Sequence, residues 1–318
     1  MSSTKVSEAL AHIEKAEKCL KTSFLKWNPD YDGAASEYIK AATCYRNAKA
    51  LPEAREAYIK AAEIQHRMKA PFHSAKSYEQ AGLLSKENGE MDLAVKLMEQ
   101  AALMFQEHGT PDTAALCLEK AAKMVEQSHP ARAADLYKKA SDVADIEDHA
   151  RQSAESIGKA GRIFLRLQRY EEGAQCLCKE IEFHAASENF PMIAKLVLAV
   201  VLVKLTLEDY VAAEHFFRSA GKYPQFGDSE EAIAIEELLA AYDSGDEENA
   251  RRILNLPLIK YMDNVFNKLA RSLVIPGEVK RADPNLGVAS RAAGGGANVE
   301  GGGAPVQLDD EELEGGLC

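Results

Sequence analysis

Several absences narrow the field before any motif is sought. No stretch approaches the roughly 18 consecutive apolar residues of a membrane span. The best candidate, Leu196 to Val203, is eight residues long and lies between Lys195 and Lys204. Met1 to Leu20 reads as an amphipathic helix rather than the apolar core of a secretory leader, so the chain is expected in the cytosol. The phosphate loop GxxxxGK[ST], the zinc motif HExxH and the nucleophile motif GxSxG are all missing. The six cysteines (Cys19, Cys44, Cys117, Cys176, Cys178, Cys318) include no CxxC pair, which suits reduced thiols in a cytosolic compartment. The eight histidines form no i, i+4 pair, and no cysteine stands at ligand spacing from one, so neither a metal nor a cofactor is expected. Asp30-Tyr-Asp32-Gly33 begins like a calcium loop, but its glycine comes two positions early and Ala41 stands where the closing acid belongs. With no catalytic constellation left, the chain does not read as an enzyme.

Positive charge is outnumbered by negative. The net charge is −12, and the last 98 residues alone carry −9 of it. An acidic end disfavours nucleic acid and favours a basic protein partner reached by electrostatic steering.

What the sequence does have is a repeat of about twenty residues. A small residue, a large one three positions on, and an alanine three positions after that recur as Ala35, Tyr38 and Ala41, as Ala75, Tyr78 and Ala81, and as Ala115, Leu118 and Ala121. The register residue falls at Ala41, Ala61, Ala81, Ala101, Ala121, Ala140 and Ala160, with weaker copies near Val197 and Phe217. Spacing of three and four places these residues on one helical face, and alanine there lets backbones approach closely. The segments between, such as Lys49-Ala-Leu-Pro52 and Gly109-Thr-Pro-Asp112, are short enough to force antiparallel neighbours; in the second, Thr110 is expected to cap a helix beginning at Pro111. One helix per twenty residues predicts an all-α, tetratricopeptide-like solenoid of helical hairpins rather than a closed bundle.

The pattern stops at Gly221. We expect three parts: a solenoid over 1–222, a small C-terminal helical bundle over 223–275, and a flexible glycine-rich acidic tail over 276–318. The bundle is expected to hold an acidic helix from about Asp228 to Tyr242, a short helix to Leu254 and a last one around Leu258 to Leu273.

Three surface features follow. Phe24, Leu25, Lys26 and Trp27 form an aromatic and basic loop suited to lipid headgroups, or else a staple on the first hairpin. Lys159, Arg162, Arg166 and Arg169, with Ile157, Gly161, Phe164 and Gln168 facing inward, would make a basic stripe or an ordinary solvated face. Glu230, Glu231, Glu236, Glu237, Asp243, Asp246, Glu247 and Glu248, joined by the tail acids, form a negative pole that serves a partner, or else mere solubility.

Particular segments carry a resemblance. Ala16-Glu-Lys-Cys-Leu-Lys-Thr-Ser-Phe-Leu-Lys-Trp-Asn-Pro-Asp-Tyr-Asp32, Tyr78-Glu-Gln-Ala-Gly82, His108-Gly-Thr-Pro-Asp-Thr-Ala-Ala115, Asp209-Tyr-Val-Ala-Ala-Glu214, Lys260-Tyr-Met-Asp-Asn264 and the terminal Gly-Gly-Leu-Cys318 resemble the gamma branch of the soluble NSF attachment protein (SNAP) family. The resemblance implies an adaptor that binds assembled SNARE complexes, which are syntaxin-containing helical bundles, and recruits the hexameric ATPase NSF to disassemble them. It implies membrane contact through Phe24, Leu25 and Trp27, a basic face toward the SNARE bundle and an acidic end toward NSF. Leu317 stands in the place of a penultimate leucine that supports ATPase stimulation, although Cys318 and two glycines replace a polar, charged ending. The chain would be a monomer when free, several copies would engage one bundle, and it would work as a peripheral protein on the cytosolic face of vesicles and organelles. The alternative is a tetratricopeptide-like scaffold for trafficking or cytoskeletal proteins with no part in disassembly.

Overall fold

A computed structural model describes residues 2–22 and 27–276. The chain divides into two units, Met1–Glu278 and Val279–Cys318, and all described residues belong to the first. Among the described residues there are fifteen helices and no strand.

The twenty-residue register becomes one helix per repeat. After α1 (Ser2–Leu20) come α2 (Tyr31–Asn47), α3 (Leu51–Arg67), α4 (Pro71–Glu87), α5 (Met91–His108), α6 (Pro111–Val125), α7 (Pro130–Asp145), α8 (Ala150–Arg166), α9 (Tyr170–Ala186), α10 (Phe190–Thr206) and α11 (Tyr210–Ala220). All seven register alanines are wholly buried. Eight of the nine turns between α2 and α11 end the preceding helix with one backbone device, the α6–α7 turn being the exception. Lys49, Lys69, Gly89, Gly109, Asp148, Gln168, Glu188 and Glu208 all have φ between 54° and 81°. At each of them, the N–H of the next residue bonds a carbonyl five residues back, as in Ala50 to Tyr45 (3.0 Å) and Arg169 to Phe164 (2.9 Å). This is the Schellman closure, and its last residue is already the N-cap of the following helix. Pro111 opens α6 with Thr110 at its N-cap as expected, but the Thr110 side chain makes no capping bond to α6. Its hydroxyl instead donates back to the Phe105 carbonyl at 3.0 Å, tying off α5.

Alternate helices run parallel and in register. Arg132 meets Asp92 and Lys139 meets Glu99, each 40 residues apart, so α5 and α7 point the same way. Lys159 meets Glu119 and Arg166 meets Glu126 at the same offset, which fixes α6 against α8. The hairpin of 40 residues is therefore the structural unit, with polar seams joining each helix to the second one along.

Beyond α11 lie α12 (Glu230–Ser244), α13 (Glu247–Leu254), α14 (Pro257–Lys260) and α15 (Asn264–Ser272). The single last helix expected around Leu258 to Leu273 is broken in two. Asp263 interrupts it by accepting the Val265 N–H at 3.1 Å as the N-cap of α15. α12 and α15 pack on α10, and α15 also reaches α8. The core is continuous from Leu165 to Ile275, and α10 is at its centre. Leu196 to Val203 are buried all round because α9, α11, α12 and α15 cover every face of their helix.

Candidate functional site

The basic stripe is present but each of its four cations already has an acidic partner. α6 presents acids at Asp112 and Glu119, and at its C-cap Glu126, seven residues apart; α8 lies beside them. Lys159 Nζ bonds Glu119 at 3.2 Å and Glu155 at 2.9 Å, and lies over the Tyr137 ring. Burial alone would lower its ammonium, but the bonds to Glu155 and Glu119 hold it above the ordinary lysine value. Arg166 meets Glu126 at 3.2 Å, and Arg169, at the N-cap of α9, pairs with Glu172 and stacks on Phe164 at 4.6 Å. Arg162 binds most. It reaches buried Glu180 at 3.0 Å, the Gly158 carbonyl at 2.8 Å, Asp263 at 3.3 Å and the face of Phe266 at 5.4 Å. Burial pushes the Glu180 carboxyl above its usual range, and Arg162 offsets only part of that.

Two expectations about this face are therefore corrected. Gln168 is not on the buried side; it is the exposed, positive-φ residue of the α8–α9 turn. The stripe is not an open row of cations, because α15 lies against Arg162 and internal acids meet the rest. Between α8 and α15 is an open cleft of about 270 Å³ lined by Glu126, Lys159, Arg162, Arg166, Asp263 and Lys268.

The negative pole divides by role. Glu230 and Glu231 occupy the first turn of α12 behind the Ser229 cap, and Glu247 and Glu248 the first turn of α13 behind Asp246, where carboxylates complement the helix dipole. Glu237 bonds Arg252 at 3.0 Å, while Glu236 is exposed and lacks a cationic partner among the described residues. Asp243 differs from these. With Glu208, Tyr210, Tyr242, Val274 and Pro276 it lines an open cleft of about 500 Å³. The rings of Tyr210 and Tyr242 are parallel, 6.1 Å apart. Burial raises both phenols, Asp243 and Glu214 add to the effect on Tyr210, and Glu208 adds to that on Tyr242. Ring faces and carboxylates around one opening suit a lysine or arginine side chain. Reading the sequence alone missed Glu208, Tyr210 and Tyr242, because Tyr242 on α12 is more than 30 residues from Glu208 in the α10–α11 turn and Tyr210 on α11; the only local signal was an acid beside each tyrosine.

Of the aromatic loop, Phe24, Leu25 and Lys26 lie outside the described residues, as do Leu317 and the tail from Gly277. Trp27 is 82% exposed. The segment after it is anchored by the Asp30 N–H on the Cys19 carbonyl at 3.0 Å. The Asp30 carboxylate accepts the Gly33 N–H at 2.9 Å and caps α2. No helix among the described residues is long and apolar enough to cross a membrane.

Comparison with known proteins completes the picture. A family model described as soluble NSF attachment protein, SNAP, matches residues 7–255. The gamma-soluble NSF attachment protein of Dictyostelium discoideum is 24% identical over 275 residues, covering 86% of this chain and 85% of that protein. The protein of the same description from Arabidopsis thaliana is 25% identical over 144 residues, covering 45% of this chain and 50% of its own. Among solved structures, the apo form of RapI is 16% identical with a TM-score of 0.38, covering 69% of this chain and 62% of its own. Aspartyl phosphate phosphatase F from Bacillus subtilis is 14% identical with a TM-score of 0.36, covering 77% and 68%.

Proposed function

We propose that this chain, which belongs to the soluble NSF attachment protein family, binds assembled SNARE complexes and recruits NSF to disassemble them in vesicle fusion and trafficking. Members of this family are adaptors rather than enzymes, and attachment to NSF is the role their name states. The observation that carries the finer reading is the acidic, aromatic cleft of Glu208, Tyr210, Tyr242 and Asp243, which offers a basic partner two ring faces and two carboxylates at one opening. Glu230, Glu231, Glu236, Glu237, Asp246, Glu247 and Glu248 extend the same negative field.

For the SNARE bundle we assign Lys159, Arg162, Arg166 and Arg169. Their internal pairs do not oppose this, since exposed ion pairs are worth about 0–1 kcal/mol and exchange readily for acids on a partner. Arg166 and Arg169 are the most exposed of the four and would exchange first; Arg162 stays with Glu180 and the bundle. In this division of labour, 1–222 holds the SNARE-facing surface, 223–275 the acidic end and 276–318 the tail with Leu317. The protein is a monomer when free and acts in several copies per bundle. Phe24, Leu25, Lys26 and Trp27 hold it peripherally at the cytosolic face of membranes.

Disassembly of a purified SNARE complex by NSF and ATP, with this chain as the sole adaptor, tests the reading. Wild type is expected to support it, Asp243→Lys with Glu208→Lys to abolish NSF recruitment, and Leu317→Ala to report on ATPase stimulation. Recruitment should fall steeply with salt. SNARE or NSF binding with no disassembly would replace this reading with that of a scaffold.

A further inference from the structure

We propose that Asp112, Glu147 and His149 form a binding site for a divalent transition cation, zinc foremost, where α6 begins beside the turn between α7 and α8. Ligand atoms from the three side chains all lie within 4.8 Å of one another. The site stands at one end of the seam between α6 and α8. Along that seam each acid of α6 meets a permanent cation: Glu126 meets Arg166 and Glu119 meets Lys159. The parallel seam between α5 and α7 follows the same rule, with Arg132 on Asp92 and Lys139 on Glu99. At Asp112 the rule breaks, because the position opposite holds His149, whose Nδ1 faces the carboxylate, and Glu147 adds a second carboxylate. Neither acid has a lysine or arginine partner among the described residues. Two carboxylates and one imidazole thus meet at this rung where the others hold a carboxylate and a permanent cation.

The donor set fits the cation. One imidazole nitrogen and two carboxylate oxygens, with a fourth position open to water, are ligands that zinc accepts in tetrahedral geometry at about 2.0–2.2 Å. Such bonds place ligand atoms about 3.3–3.6 Å apart. Glu147 is exposed and Asp112 only partly buried, which leaves their side chains room to rotate toward that spacing. Two of the three sit on fixed backbone: Asp112 in the first turn of α6 and His149 at the N-cap of α8. Sequence spacing could not find the site because Asp112 and His149 are 37 residues apart. A bound ion would tie the second helix of one hairpin to the second helix of the next, and would raise stability with metal concentration.

The test titrates the full chain with Zn²⁺ alone by calorimetry and repeats it with Co²⁺ by absorbance, because thiolate ligation by any of the six cysteines adds an intense charge-transfer band that nitrogen and oxygen ligands lack. One site is expected, without that band, and with affinity falling about tenfold or more in His149→Asn and in Glu147→Gln. Glu147 is exposed and has no hydrogen bond or ion pair among the described residues, so its variant separates loss of a ligand from loss of fold. No binding by wild type, a thiolate band, or unchanged affinity in both variants overturns the proposal.

Discussion

The helices from α2 to α9 and those from α10 to α15 solve the same burial problem in opposite ways. In the first region the wholly buried positions are mostly alanines, and charged side chains run along the seams between alternate helices. In the second, Leu196 to Val203, Ile235, Leu238, Ile253 and Phe266 converge on a helix covered on all sides. Small residues bring backbones close and leave each helix dependent only on its neighbours, so stability accrues repeat by repeat. Large residues around one helix make a core shared by distant segments, in which one defect is felt by all.

Substitutions that change side-chain volume should break this contrast most strongly. Leu198→Ala in α10 is expected to cost about 2–5 kcal/mol in urea unfolding, because a wholly buried side chain leaves a cavity its neighbours cannot fill. Ala101→Leu in α5 tests the other region, where the added atoms have no room and about 1–3 kcal/mol is expected to be lost. Should alanine-for-leucine changes prove as costly in α5 as in α10, the contrast fails.

Two buried glutamates sharpen it through pH. Burial pushes Glu79 on α4 upward, but Lys120 at 2.6 Å and Lys76 at 3.2 Å overcome it and hold the carboxyl below its usual 4.5. A depressed pKa contributes stability above the unfolded value, and this is lost as pH falls through the folded one. Glu79→Gln should therefore destabilise at pH 7, by about 1.5–3 kcal/mol, and converge on wild type below pH 4.5. Glu180 has the opposite sign. Its raised pKa contributes stability present below 4.5 and lost as pH rises through the folded value, so ionising the buried carboxyl costs the fold stability. Glu180→Gln should thus cost less at pH 7 than Glu79→Gln, and unfolding midpoints measured from pH 4 to 7 decide the matter.

Gly158→Ala probes the joint between the two regions. A Cβ there would lie 2.6 Å from Glu180 Oε1 and 2.7 Å from Arg162 Nη1, so the side chain that links α8, α9 and α15 must move. A loss of about 1–2 kcal/mol is expected. A fully tolerated alanine would show that Arg162 holds nothing in place. The smallest effect belongs to the turns: Gln168→Gly relieves a left-handed backbone at φ 60° and should gain a few tenths to about 1 kcal/mol in thermal unfolding.

Much of the fold was legible because its signal is local. Ala41, Ala61 and Ala81 repeat at the length of one helix and its turn, and neighbouring helices meet through turns too short for any arrangement but a hairpin. The break at Tyr261 to Asp263 was not legible, since Asp263 reads as an ordinary polar residue until its carboxylate is placed over an N–H two residues on. The site was legible only in part. Lys159 and Arg166 read as cations on one face of α8, which they are, but the acids opposite them belong to α6, 40 residues earlier.

The all-helical repeat and the acid-rich end were determined by the sequence alone, because helical periodicity and charge are properties of residues a few positions apart. Only the tertiary structure decided which charges are already matched. It set Asp263 on Arg162 across 101 residues, brought Tyr210 beside Tyr242 with Glu208 and Asp243 at the same opening, and stood His149 against Asp112. Coulombic and ring contacts depend on separation in space, and helical pattern alone does not specify how a packed chain brings distant segments together.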